Sequence, residues 1–204
     1  MNTIEDIAAS VNYTLERFGR PLLPLDTVRQ YVGDGIETLM TRAFGGVTEE
    51  INEVVTVYKE HHRRHFTDRS RLYAGVAETL EAFKALPMAV ISNKTTEFVT
   101  PLLERLEIAR YFRFIIGADN GLPLKPAPDA VLKILSASGA PKEAAVIVGD
   151  GTTDVRAGKA AGIVTCAVTY GFRSDEELRA AGPDYMISRF SELKTLFIPG
   201  RNSP

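Results

Sequence analysis

The chain has 204 residues, 45% of them hydrophobic and 25% charged, with a formal net charge of −2 and an isoelectric point near 6.0. That length supports one sizeable core and a small second domain, and the faint acidity gives no general attraction to nucleic acid or to an anionic membrane. A single cysteine excludes an internal disulfide framework, no apolar run reaches the length of a membrane span, and Met1-Asn2-Thr3-Ile4-Glu5-Asp6 lacks a basic and apolar signal region, so a cytoplasmic location is the expectation.

Residues 3 to about 66 show only helical periodicity. Ile4, Ile7, Ala8, Val11, Leu15 and Phe18 recur at three- and four-residue steps and share one helix face. Thr3 is the expected cap of that helix, with Asp6 three residues on, and Gly19 its expected end. A second helix carries Ile36, Leu39, Met40 and Ala43 and stops at Gly45-Gly46. A third starts near Thr48 and carries Ile51, Val54, Val55 and Tyr58. His61 and His65 lie four apart at its end, a metal-like spacing, but no third ligand is evident and the arginines between them favour a solvated basic helix end.

From Tyr73 the texture changes to short apolar runs alternating with helical segments. The predicted strands are Met88–Ser92, Phe114–Gly117, Ala145–Val148, Val164–Thr169 and Tyr185–Ser188. The predicted helices lie at 76–86, 96–107, 128–138, 153–161 and 175–181. This order predicts an α/β fold with a parallel sheet covered on both faces. Cys166, inside the fourth run, reads as a small buried residue. The tail from Pro199 to Pro204 reads as disordered. Ligands of such folds sit beyond the carboxyl ends of the strands, so the chemistry is sought in the loops that follow them.

The first strand ends in Ser92-Asn93-Lys94-Thr95, whose hydroxyl and amide, before a helix start, suit either a phosphate or a simple helix cap. The second is followed by Leu122-Pro123-Leu124-Lys125-Pro126-Ala127-Pro128, where prolines stiffen the presentation of one lysine. Lys125 is then either an electrostatic clamp on a phosphate or a solvated turn residue. The third leads into Gly149-Asp150-Gly151-Thr152-Thr153-Asp154, which brings two carboxylates to a strand-to-helix turn. Capping would explain them, but the strand-end position favours Mg²⁺, which takes one or two carboxylates, water and phosphate oxygens. The Gly171-Phe172-Arg173 segment, after the fourth strand, is expected to border the same site.

A strand ending in Ser92-Asn93, a lysine before a Pro-rich turn at Lys125-Pro126, and a strand ending in Gly149-Asp150 through Asp154 together resemble the haloacid dehalogenase (HAD) superfamily. Within it the chain is most similar to the phosphoglycolate phosphatases, through Ile4-Glu5-Asp6-Ile7, Val32-Gly33-Asp34-Gly35 and Ser92-Asn93-Lys94. The resemblance runs through Phe172 and implies a Rossmann-like core over residues 71–204 with a helical cap over residues 1–70. It implies a phosphatase acting on a small phosphorylated metabolite through an aspartyl-phosphate, with Mg²⁺ as cofactor, no nucleic-acid or membrane partner, and a monomeric or homodimeric state. By position, Asp150 would ligate the metal. Asp154 would hold its water shell or orient Lys125, and Ser92, Asn93 and Lys125 would hold the phosphate. Gly33 and Gly35 would let the cap backbone approach the substrate on closure.

Two features depart from the family pattern. The connection through Ala85-Leu86-Pro87-Met88 is short. More seriously, the family's first core strand, ending in Asp-x-Asp-Gly-Thr and supplying the nucleophile, should precede the cap, and no Asp-x-Asp occurs in the 204 residues. The expectation is a sheet with a gap at that strand. Either the start of the sequence is placed too far downstream, or the chain is a non-catalytic phosphate- and metal-binding relative. The same superfamily also offers pyrophosphatase, sugar-phosphate phosphatase and phosphoglucomutase-like activities, which differ in their caps.

Overall fold

A computed structural model describes residues 1–47 and 49–197. Thr48, where the third cap helix was expected to begin, and the tail from Pro199 lie outside the described residues.

Helix α1 (Ile4–Arg17) buries Ile4, Ile7, Val11 and Leu15, the stripe its periodicity predicts. Its start differs from expectation. Thr3 makes no side-chain cap; Asn2 Oδ1 accepts the Ile4 N–H at 3.3 Å instead. Asp6 faces inward, accepting from the Arg69 N–H at 2.9 Å and the Ser70 hydroxyl at 2.6 Å, and so ties α1 to the segment leaving the helical layer. Gly19, at φ +62°, follows the end of the helix as predicted. Helix α2 (Leu25–Tyr31) has no forecast in the sequence pattern, because its seven residues after Pro24 bury Val28 alone. Helices α3 (Ile36–Ala43) and α4 (Ile51–His65) complete the layer, with Met40, Val54 and Tyr58 closing its core against α1.

The remaining elements alternate as predicted, with one short helix, the last, that the pattern did not forecast. They are α5 (Val76–Ala82), β1 (Met88–Ile91), α6 (Thr96–Arg105), β2 (Phe112–Ile116), α7 (Asp129–Ser138), β3 (Val146–Gly149), α8 (Thr152–Ala161), β4 (Val164–Val168), α9 (Asp175–Ala181), β5 (Tyr185–Ile187) and α10 (Leu193–Leu196). All strand pairs are parallel, yet they form two sheets, β1-β2 and β3-β4-β5. The break lies between β1 and β3, which pair with each other nowhere. Ile91 and Ile147 nonetheless pack in one cluster with Val131 of α7 and Ala157 of α8. Every residue of β1 and β3 is only half-buried, whereas Thr165 to Val168 of β4 are buried. A strand in a covered parallel sheet is normally buried on both faces. The break therefore matches the gap expected for a sheet without its first core strand. Gly158 lets α8 sit tight on β3 and β4, because a Cβ there would meet the side chains of Ile147 and Thr165.

Among the described residues, no helix is long and apolar enough to cross a membrane. Cys166 is buried, and that burial pushes its thiol up to about 11.

Candidate active site at the strand ends

The loops after β1, β3 and β4 and the loop before α7 meet in one cavity of about 930 Å³, closed on its far side by α1, α3 and α4. Ser92, Asn93, Lys125, Asp150, Asp154, Gly33 and Gly35 all line it. The residues singled out in the sequence are therefore brought together, although they span 122 positions from Gly33 to Asp154.

Lys125 is the centre of the arrangement. Its ammonium donates to Asp154 Oδ1 at 2.6 Å and to the carbonyl oxygen of Ile91 at 2.7 Å, so it bridges the break between the two sheets. Asp154 Oδ2 accepts the Gly151 N–H at 3.0 Å and closes the first turn of α8. Gly149 makes this possible, because a Cβ there would collide with the Asp154 carboxylate. The carboxylate thereby fixes the position of the Lys125 ammonium.

Asp150 sits on the other side of the turn. Its Oδ2 accepts the Phe172 N–H at 3.1 Å, and Gly171 leaves room for its side chain, since a Cβ there would collide with it. Burial first, and then the neighbouring Asp154 carboxylate, raise the proton affinity of Asp150. A half-buried carboxylate that receives no side-chain donor among the described residues is suited to a cation. Among the described residues no group of three His, Cys, Asp or Glu side chains could hold a metal ion. A hard cation would thus take Asp150 as its one carboxylate and fill its shell with water and ligand oxygens, which suits Mg²⁺ better than zinc. The pair His61 and His65 belongs to no such group. Their rings lie 4.5 Å apart, and His65 pairs with Asp68 at 2.9 Å.

Ser92 accepts the Lys94 N–H at 3.0 Å, which leaves its hydroxyl proton free for a ligand. The helix-cap alternative for this loop loses its support. The start of α6 is bound by Asp119, which accepts from the Thr96 N–H at 2.8 Å and the Thr96 hydroxyl at 2.7 Å. Asn93 departs from its expected part as a phosphate donor. Its Nδ2 donates to the carbonyls of Gly33 (3.0 Å) and Lys125 (2.9 Å), and its Oδ1 accepts the Lys125 N–H at 3.0 Å. With both amide protons engaged, the side chain holds the cap loop and the lysine loop together.

Gly33 and Gly35, at φ +132° and +93°, lie in the turn between α2 and α3 that meets Arg173 and Leu124. Arg173 reaches across to the carbonyls of Gln30 and Val32, and a Cβ on Gly33 would stand 3.0 Å from that guanidinium. The segment after β4 borders the site as expected, and Arg173 is the part of it that grips the cap.

Sequence reasoning missed a second polar group in the cavity. His62, 1% exposed, places Nε2 3.3 Å from the Lys94 ammonium and Nδ1 3.0 Å from Ser10 Oγ. The signal was present: His62 falls four residues after buried Tyr58 and eight after buried Val54, on the inward face of α4.

A family model described as haloacid dehalogenase-like hydrolase matches residues 1–168. The chain is 34% identical over 202 residues to Phosphoglycolate phosphatase 1 of Pseudomonas aeruginosa, covering 95% of this chain and 74% of that protein. It is 33% identical over 225 residues to a phosphoglycolate phosphatase of Pseudomonas savastanoi pv. phaseolicola, covering 100% of this chain and 81% of the relative. Among solved structures, a predicted phosphoglycolate phosphatase from Haemophilus somnus 129PT superposes with a TM-score of 0.91 at 27% identity, over 96% of this chain and 92% of the other.

Proposed function

Because the chain belongs to the haloacid dehalogenase-like hydrolases, we propose that its cavity is the site of a Mg²⁺-dependent phosphatase for a small phosphomonoester, 2-phosphoglycolate in the first instance. The observation that carries this reading is the bridge from Lys125 to Asp154 and the Ile91 carbonyl, with the Ser92 hydroxyl and Asp150 lining the same cavity.

In this reading residues 71–204 are the core and residues 1–70 the cap. Ser92 donates its hydroxyl to a phosphate oxygen. Lys125, held by Asp154, places positive charge beside the same group and stabilises the charge that develops on it during transfer. Asp150 holds Mg²⁺, which when bound would neutralise the phosphoryl oxygens. The loop at Gly33 and Gly35, gripped by Asn93 and Arg173, closes the cavity to water. Turnover by the family's route would need an aspartate to attack phosphorus while the substrate's alkoxide leaves with a proton, and water then to release inorganic phosphate from the aspartyl-phosphate. We assign the protein to the cytoplasm, as a monomer or homodimer.

A second reading is that phosphate and metal bind in this cavity without turnover. Phosphate release from 2-phosphoglycolate, with and without Mg²⁺, separates the two. Mg²⁺-dependent release that disappears in Asp150→Asn supports the phosphatase. Mg²⁺-dependent binding of phosphate without release supports the second reading, and neither binding nor release would defeat both.

A further inference from the structure

Lys94 also lines the cavity, as a cation that the phosphate site does not use. Lys94 follows Ser92 by two residues, so the two lie within about 7 Å along the chain. Their side chains serve different places. Ser92 bonds within its own loop, while the Lys94 ammonium crosses to the helical layer and meets His62 Nε2 at 3.3 Å.

The hydrogen bonds define the state of that contact. An ammonium only donates, so His62 Nε2 must accept, and the neutral ring carries its proton on Nδ1. Nδ1 then donates to Ser10 Oγ at 3.0 Å, and Ser10 passes its own proton to the Asp6 carbonyl at 2.9 Å. Every member of the chain from Asp6 to Lys94 has one consistent direction. Burial, with the Lys94 charge adding to it, holds His62 far below its ordinary pKa and so keeps it neutral.

Histidine satisfies one of three ammonium protons without neutralising the charge. Among the described residues no carboxylate lies within ion-pair distance of Lys94. Asp6 is the one acid whose charge reaches it, and that carboxylate is already bound by Arg69 and Ser70. The His62 ring that meets Lys94 is itself packed between the rings of Tyr58 and Phe98, which line the same cavity. Desolvation accordingly brings the ammonium down to about 8. An uncompensated cation in such a place costs free energy that a bound anion would return.

We infer that Lys94, positioned by neutral His62, receives a carboxylate of the phosphorylated substrate and selects phosphorylated short-chain acids over uncharged phosphomonoesters. This rests on the phosphate site proposed above and adds a second anchor to it. A carboxylate fits better than a second phosphate, because one ammonium held by a neutral ring matches one negative charge. His62 stands on the cap and Lys94 on the core, so the anchor forms only where the two layers meet, and it ties selection to closure.

The test is calorimetric binding of 2-phosphoglycolate and of ethyl phosphate, in Mg²⁺ at pH 7, to the wild type, Lys94→Met and His62→Phe, with circular dichroism confirming the fold of each. The wild type is expected to prefer 2-phosphoglycolate at least tenfold. Lys94→Met is expected to bring the ratio close to one, and His62→Phe to lower it partway, which a purely structural role for the ring would not do. Equal wild-type affinity for both ligands overturns the inference and leaves the phosphate site standing. A ratio unchanged in Lys94→Met, or a parallel loss of both ligands, also overturns it. Binding of neither ligand by the wild type removes the phosphate site and the inference together. Tighter binding of propane-1,3-diol bisphosphate, lost in Lys94→Met, would assign the ammonium to a second phosphate and overturn the carboxylate.

Discussion

The Lys125 ammonium lies 2.6 Å from Asp154 Oδ1, with the two side chains only 11% and 13% exposed. The pair spans the break between β1-β2 and β3-β4-β5, since the same ammonium also holds the Ile91 carbonyl. It therefore has structural work to do in addition to any chemistry. Removing one partner of a buried pair leaves the other charge uncompensated, at a cost of about 3 kcal/mol or more. Lys125→Met is expected to lower the melting temperature by roughly 6–12 °C for a chain of this size. Lys125→Met/Asp154→Leu should lose less than the sum of its single variants. Strict additivity in thermal unfolding would show that the pair is not coupled.

Gly171 is predicted to matter through Asp150. A Cβ at 171 would collide with the Asp150 side chain, so Gly171→Ala must push the carboxylate away from the Phe172 N–H. Overpacking of this kind costs about 1–3 kcal/mol. The larger effect should fall on the ligand: Mg²⁺-dependent phosphate binding is expected to weaken at least tenfold in calorimetry. If Gly171→Ala binds as the wild type does, Asp150 is not the residue that holds the cation.

The sequence made the site more legible than the sheet. Each strand-end motif announces itself locally, because a strand-to-helix turn needs glycine, proline or a small polar side chain at fixed places, as at Gly149-Asp150-Gly151. The helical stripe of α1 was equally plain, whereas α2 was hidden because it buries a single residue. What local pattern cannot reveal is pairing across the molecule. The part Asn93 plays depends on Gly33 and Lys125, 60 and 32 residues away, and His62 meets Lys94 at a separation of 32. Spacing rules see neighbours along the chain, and these partners are chosen by how the helical layer rests on the strands and their loops.

The break between β1 and β3 should appear in amide hydrogen exchange. β4 is paired on both sides and buried, and opens only with the whole sheet. β1 and β3 each pair on one side and are half-buried. Residues 165–168 are thus expected to be the slowest to exchange, with 88–91 and 146–149 faster by at least tenfold. Equal protection of all three strands would mean that the break is closed in solution.

Stability in mild acid should report on His62. Three elements besides α4 face its ring: Ser10 of α1, the Lys94 loop, and Phe98 of α6, while Tyr58 and His61 flank it on its own helix. None of these is a carboxylate. Burial first, then the Lys94 and His61 charges, lower its pKa from about 6.5 to about 2. Between those values the unfolded chain takes up a proton that the folded chain refuses, so stability falls as pH falls through that window. From pH 6.5 to pH 5 the loss from this one group amounts to about 2 kcal/mol, or roughly 4–8 °C in melting temperature. His62→Phe keeps an aromatic ring in the same space and removes the titration. The variant should therefore lose less stability than the wild type between pH 7 and pH 5, a range that lies above the ordinary titration of most carboxylates. Thermal melts of both proteins across that range decide the matter. Parallel curves would mean that His62 accepts a proton in the folded protein as readily as in the unfolded chain, and the directed hydrogen-bond chain from Asp6 to Lys94 could not then be as described.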